Sequence, residues 1–183
     1  MKKLFYKIAL VGYGSIGKRH LKNLKKLLNS KKIKFSIDLI RSGKGEKIDI
    51  KDEKIINQAY FDYESLPEDY DIIFITNPTF LHFKSIKKYS QNTKHMFIEK
   101  PVFSKTDHKL ENLKLSEENI YYVACPLRYS KIVQYIKENF SKDNINSIRV
   151  ISSSYLPSWR KGINYKDTYS ANKDYGGGVS LDL

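Results

Sequence analysis

Two short runs carry the side chains of this chain best able to do chemistry. Met96-Phe97-Ile98-Glu99-Lys100-Pro101 ends an apolar stretch on a carboxylate, an amine and a proline. A lysine at the tip of a buried strand can hydrogen-bond or deprotonate a hydroxyl. Desolvation and neighbouring positive charge lower the pKa of lysines in such clefts. The second run, Ile75-Thr76-Asn77-Pro78-Thr79-Phe80-Leu81-His82, also leaves an apolar stretch through polar residues and a proline. α/β sheets bind ligands outside the carboxyl ends of their strands, where both runs fall. Neither suffices alone: the chain is rich in lysine, and a lone histidine is more often structural than catalytic.

An earlier segment says what such a site would face. Residues 6–20 pass from the apolar run Ile8 to Val11 into Gly12-x-Gly14-x-x-Gly17, then into a helical pattern of Ile16, Leu21, Leu24, Leu27 and Leu28. Strand, glycine turn and helix are the context of a dinucleotide site. Gly12 allows the tight turn, Gly14 lets the backbone approach a diphosphate, and Gly17 lets helix and strand pack closely. Tyr13, Ser15 and Ile16 complete the candidate cofactor loop, and the diphosphate would lie on the free N–H groups of the helix start. A second strand, about 35–40, leads into Arg41-Ser42. A cation and a hydroxyl there suit a 2′-phosphate, so the expected cofactor is NADP or NAD with the balance toward NADP. Asp38 is the rival acid for a ribose 2′-OH, but the pattern places it inside the strand.

These residues need an alternating scaffold. Short, almost wholly apolar runs at 6–11, 35–40, 71–76, 95–98 and 120–124 read as parallel strands buried on both faces. Helical patterns at 15–29, 79–90, 106–115 and 128–140 lie between and after them. The fold class expected is α/β, a Rossmann-type doubly wound parallel sheet over residues 1–125, followed by the beginning of a second α/β domain over 126–183. Residues 147–155 alternate and are rich in β-branched side chains, which predicts a strand of a different sheet. A long segment with Pro157, Trp159 and Gly162 follows, and then Gly176-Gly177-Gly178, which resembles the opening of a helix. With its edge and the aromatic loop uncovered, strand 147–155 would make this length of chain poorly soluble or dependent on association.

Composition narrows the classes. The chain has 183 residues, 40% of them hydrophobic, enough for a core. One cysteine, Cys125, permits no internal disulfide and no cysteine zinc site; it fits a reducing compartment, and a cytoplasmic location is expected. No metal ligand set is expected. The basic start Met1-Lys2-Lys3 imitates a signal peptide, but Lys7 and the glycines interrupt the apolar run, and no stretch has the length of a membrane span. The net charge of +13 comes from scattered lysines without an arginine cluster or aromatic RNA-binding motif. Nucleic acid is therefore not the expected partner, and such a surface would instead gather anionic cofactors and phosphorylated substrates.

Together, Gly12-x-Gly14-x-x-Gly17 with His20, Asn77-Pro78 with His82, Glu99-Lys100-Pro101, and Gly176-Gly177-Gly178 with Asp182 resemble the glucose–fructose oxidoreductase / inositol dehydrogenase / rhizopine-catabolism (Gfo/Idh/MocA) family, in order and spacing. The resemblance implies a Rossmann domain followed by an α/β domain on an open sheet. It also implies hydride transfer between NAD(P) and a sugar, sugar nucleotide or cyclitol hydroxyl, in a full-length form that is a homo-oligomer. Carried across, Lys100 is the catalytic lysine that meets the reacting hydroxyl. Glu99 and Pro101 shape the nicotinamide pocket, and Asn77, Pro78 and His82 lie along the cofactor. Arg128 matches an arginine near the substrate, and Asp182 a catalytic aspartate. The histidine that follows this aspartate in the family is not in the chain. The alternative is therefore a nucleotide-binding homologue without catalysis. Tyr155 to Arg160, with Tyr165, Tyr169 and Ser170, is similar to a subgroup associated with bacterial surface-sugar biosynthesis. Trp159, Arg160 and Tyr165 are candidate substrate contacts, because aromatic and arginine side chains suit sugars and phosphates.

Overall fold

The computed structural model describes residues 5–43, 45, 47–61, 66–141 and 144–178. Six parallel strands form one sheet: β1 (Phe5–Val11), β2 (Lys34–Ile40), β3 (Gln58–Tyr60), β4 (Tyr70–Ile75), β5 (Thr93–Ile98) and β6 (Ile120–Val123). Their order is β3-β2-β1-β4-β5-β6, so the chain winds outward in both directions from β1 and β4. That reversal creates the crevice at which such sheets bind ligands. The expected doubly wound α/β architecture is what forms.

The strands form because successive side chains reach two different cores. Ala9, Val11, Ile73 and Ile75 belong to one cluster, with Ile86, Met96 and Leu113. Ile8, Leu10 and Phe74 belong to the other, with Leu21, Ile37 and Leu39. A strand apolar at every position is stable only between two layers. Helix α1 (Ser15–Ser30) supplies Leu21 to the second cluster, and α3 (His82–Tyr89) supplies Ile86 and Tyr89 to the first. Two further helices are α2 (Ile50–Glu53) and α4 (Lys131–Asn139).

Several expectations need correction. Residues 147–155 form no strand: Ile148, Val150 and Ile151 are 73%, 82% and 76% exposed, and alternation without a neighbouring strand leaves the backbone unpaired. Of the helix expected at 106–115, one 3-10 turn forms, Leu110–Leu113, ended by Lys114 at φ 50°. His108 stacks on Phe83 at 4.1 Å and meets Phe103 edge-on, which holds the preceding residues out of a helix. The helix expected at 79–90 begins as a 3-10 turn, Thr79–Leu81. The one expected at 128–140 splits into a 3-10 turn, Pro126–Tyr129, and α4. α2 and β3 have no counterpart in the sequence expectation, being four and three residues long.

Candidate functional site

Each candidate site residue at the sheet's carboxyl edge lies just past a strand. The hydrogen-bond ladder continues one residue beyond each strand end. Gly12 N–H donates to Ile40 O at 2.9 Å, Thr76 N–H to Val11 O at 2.9 Å, and Glu99 N–H to Ile75 O at 3.0 Å. Arg41 and Ala124 are held likewise, on Tyr60 O and Ile98 O. The turns that carry chemistry therefore start from fixed points.

The glycine loop is built around contacts that a side chain would break. Gly12 has φ +99°, and a Cβ there would lie 2.7 Å from the Asn77 backbone. A Cβ on Gly17 would lie 2.3 Å from the Gly12 carbonyl oxygen. Thr76 locks this arrangement, its hydroxyl donating to Val11 O at 2.9 Å and Gly12 O at 3.1 Å. Around Gly14, by contrast, no described residue beyond its chain neighbours approaches a built Cβ within 4 Å. α1 starts there with no side-chain cap and no acid in its first turn. Its first N–H groups are thus left for an anion, with Ser15 exposed beside them. Asn77 donates through Nδ2 to Ser85 Oγ at 2.8 Å, and its buried Oδ1 has no partner among the described residues. An uncapped helix start, open space at Gly14 and an orphaned acceptor in the adjoining turn fit a dinucleotide. Gly12 to Gly17 would hold its diphosphate, and Asn77 and Pro78 would border it.

Beyond the loop, Tyr13 is 8% exposed. Its hydroxyl donates to Asp52 Oδ2 at 2.7 Å and accepts from Asp49 N–H at 3.1 Å. Burial, and then the Asp52 carboxylate, push the Tyr13 phenol up to about 12, against the lowering pull of the Asp49 N–H. Lys18 Nζ lies 5.0 Å and the Arg41 guanidinium carbon 5.7 Å from the centre of the Tyr13 ring. A ring bracketed by two cations therefore stands next to the β2 tip, where Ser42 is exposed. Asp38 is 1% exposed and inside β2, accepting from Tyr70 OH at 2.9 Å and Asn57 Nδ2 at 2.8 Å.

At the β5 tip, Glu99 Oε1 lies 2.6 Å from His20 Nε2, and Glu99 Oε2 accepts the Lys100 N–H at 3.2 Å. Lys100 itself is exposed, and its bond to Pro101 is cis. His82, expected along the cofactor, is enclosed by the chain itself. It is 1% exposed, with Nε2 2.8 Å from Asn77 O and Nδ1 3.2 Å from Val102 O. It ties the turn after β4 to the segment after β5 from beneath. Burial holds its imidazole below the ordinary value, against those carbonyl contacts.

The expected substrate residues fall in two groups. Arg128 lies over the Tyr122 ring at 5.6 Å, near the β6 tip. Trp159, Arg160 and Tyr165 gather with Leu156, Ile163 and Thr168, the Arg160 guanidinium lying between Trp159 at 5.6 Å and Tyr169 at 5.9 Å. Asp182 lies outside the described residues. The glycine run before it does reach the sheet: a Cβ on Gly176 would lie 2.8 Å from Ser104 Cβ, and Tyr175 stacks on Phe80 at 4.8 Å. The chain after residue 165 thus returns to the turn that follows β4. Thr76, Ser104, the Tyr13–Asp52 bond and the His20–Glu99 bond carry no signature in the sequence, because each depends on a partner distant along the chain.

Comparison with known proteins agrees with this geometry. The family model described as "Oxidoreductase family, NAD-binding Rossmann fold" (GFO_IDH_MocA) matches residues 6–124. The uncharacterized oxidoreductase YrbE of Bacillus subtilis (strain 168) is 36% identical over 104 residues, 57% of this chain and 30% of that protein. An NAD-binding protein from Listeria innocua superposes with a TM-score of 0.67 at 22% identity, over 97% of this chain and 51% of its own. The WlbA dehydrogenase from Chromobacterium violaceum, solved with NADH and UDP-GlcNAcA, gives 0.59 at 22% identity over 75% and 40%. Scyllo-inositol dehydrogenase from Lactobacillus casei gives 0.57 at 20% identity over 75% and 41%. The chain therefore spans from about a third to about half of the length of these relatives, and at such identities the structures show a common fold. With the family model matched from the first strand to the end of the sixth, the chain belongs to the Gfo/Idh/MocA oxidoreductase family.

Proposed function

We propose that this chain forms the NAD(P)-binding half of a dehydrogenase that acts on a hydroxyl of a sugar, sugar nucleotide or cyclitol. The observation that carries the reading is the placement of the uncapped α1 start, the orphaned Asn77 acceptor and the Glu99-Lys100 tip along one edge of one sheet. The bound cofactor would supply the hydride acceptor or donor at its nicotinamide ring. Glycine-loop amides orient the diphosphate. Lys100 Nζ meets the reacting hydroxyl and holds or moves its proton. Glu99, fixed at both oxygens, walls the nicotinamide side of the cleft. The sugar-type substrate draws support from the dehydrogenases that share the fold, one solved with a UDP-sugar acid and one named for an inositol. Arg128, Trp159, Arg160 and Tyr165 are the proposed contacts to it, Asp182 the proposed partner of Lys100, and residues 126–183 the proposed start of the substrate domain.

The cofactor reading goes further toward NADP. Asp38 is buried and committed to Tyr70 and Asn57, so it does not reach a ribose. At the β2 tip lie Arg41, 8% exposed against the Tyr13 ring, the exposed Ser42 and, across Tyr13, Lys18. Titration of the chain with NADPH and NADH, followed by fluorescence, tests the whole reading. Tighter binding of NADPH is expected, with at least a roughly tenfold loss for that cofactor alone in Arg41→Ala. Absence of binding by either removes the proposed function; equal affinities remove only the 2′-phosphate preference.

A further inference from the structure

His82 opens α3, and no step of the proposed reaction uses it. It is 1% exposed, with Nε2 2.8 Å from Asn77 O and Nδ1 3.2 Å from Val102 O. The Pro101 carbonyl also borders the ring. Burial favours the neutral imidazole, which carries one N–H, and the shorter contact, to Asn77 O, takes it. Ser85 lies on the same face of α3, and its Oγ accepts from Asn77 Nδ2 at 2.8 Å. The first turn of α3 therefore grips Asn77 twice, by the main chain and by the side chain. What remains of Asn77 is Oδ1, buried and with no partner among the described residues. That atom is an acceptor. An ionised diphosphate has no proton to give it, whereas a ribose hydroxyl and a carboxamide N–H do.

Topology says which half of a dinucleotide would meet it. β2 flanks β1 on one side, and β4 and β5 follow on the other. With its diphosphate on the glycine loop, a dinucleotide lays its adenosine toward β2 and its nicotinamide toward the turns after β4 and β5. Those are the two turns that His82 joins. The glycine loop has its own tie, from the Thr76 hydroxyl to Val11 O and Gly12 O.

We propose that His82 is a positioning residue for the nicotinamide half of the cofactor: it holds the Asn77 carbonyl and packs against that of Val102, so fixing the turns between which that half would lie, and with Ser85 it sets Asn77 Oδ1 to accept from the ribose or the carboxamide. The inference rests on the reading of this edge as a dinucleotide site.

A ligand trimmed to one half separates this role from general stability. ADP carries the adenosine and the diphosphate but neither the nicotinamide nor its ribose. NADH and ADP affinities are measured by titration calorimetry on the parent and four variants, with melting temperatures alongside. His82→Phe keeps a ring without a donor, and His82→Asn carries an amide too short to reach Asn77 O. Both should bind NADH about tenfold or more weakly, and ADP within about twofold of the parent. His82→Gln, whose amide N–H reaches the place of Nε2, should bring NADH binding back to within about threefold of the parent. Ser85→Ala leaves the buried ring in place and frees the Asn77 amide, and should weaken NADH alone by about threefold or more. A merely structural role would lower both ligands together, in the order of the melting temperatures, and that result overturns the proposal. So does unchanged NADH binding in the Phe, Asn and Ala variants, or a Gln variant as weak as Phe. If Phe and Asn do not fold, Ser85→Ala decides between the same outcomes. A parent that binds no NADH removes the dinucleotide reading and this proposal with it, whereas a parent that binds NADH, with variants that lose both ligands or neither, removes the proposal alone.

Discussion

At the glycine loop, single methyl groups separate packing from ligand approach. A Cβ at Gly17 would press on the Gly12 carbonyl oxygen at 2.3 Å, a backbone atom that cannot swing aside. Gly17→Ala is expected to cost about 1–3 kcal/mol of stability and to lose cofactor binding with it. Gly14 has open space and φ −78°, which any residue adopts. Gly14→Ala should therefore melt within a few degrees of the parent, yet bind NADH about tenfold or more weakly, because the methyl occupies the approach of the diphosphate. Thermal melts and NADH titration of the two variants check this, and a Gly14→Ala protein that binds normally would remove the diphosphate from the α1 start. Tyr13 makes the second residue-level prediction. Its pKa is raised from 10.0 to about 12 on folding, so its contribution is complete below pH 10 and is lost as pH rises through 12. A two-unit gap corresponds to at most about 2.7 kcal/mol. The parent's melting temperature should fall more steeply between pH 10 and 12 than that of Tyr13→Phe, and parallel curves would refute the assignment. The glycine turn and the position of Lys100 just past β5 were legible because each answers to a local pattern. The Tyr13–Asp52 and His20–Glu99 bonds were not, because they join residues 39 and 79 positions apart and no local rule pairs them.

Among the elements, legibility follows burial. The five strands read from the sequence are those whose side chains enter the two cores, where an unbroken apolar run is itself the signal. β3 escaped because three residues with one ladder neighbour carry no period, and α2 because its four residues are fixed by the Asp49 cap and the Asp52–Tyr13 bond. The 106–115 helix and the 147–155 strand failed in opposite ways. In the first, aromatic packing of His108 and a hydrogen bond from Ser90 Oγ to Leu113 O at 2.9 Å override a weak helical preference. In the second, β propensity has no sheet to express itself on. Ile73 tests the weight of the core argument: it is 0% exposed in central β4, paired with Ala9 and Met96 on the adjoining strands. Ile73→Ala should cost about 2–5 kcal/mol in urea unfolding. A loss under 1 kcal/mol would mean that the two-layer core does not hold β4 as described.

Across the molecule, burial is concentrated before residue 125. Among the described residues beyond Cys125, the buried positions are Ser170, Gly176 and Gly177, while Leu127, Ile132, Val150 and Tyr155 are each more than 70% exposed. The amphipathic α4 buries none of its residues. The stretch from 165 to 178 is tied back to the sheet by Tyr175 on Phe80 and by Gly176 against Ser104. Backbone without buried contacts opens first, and proteases cut where it opens. Limited trypsin digestion should therefore cut first at Arg128, Lys131 or Lys137, leaving an amino-terminal fragment that still binds NADH, because the glycine loop, Asn77 and Glu99-Lys100 all precede the cuts. Bound NADH should slow later cleavage of that fragment while leaving the first cuts unchanged, since the proposed cofactor site lies at the sheet's edge and does not include α4. First cleavage inside the six-stranded sheet, or a fragment that has lost NADH binding, would mean that the residues after 125 are part of the dinucleotide unit.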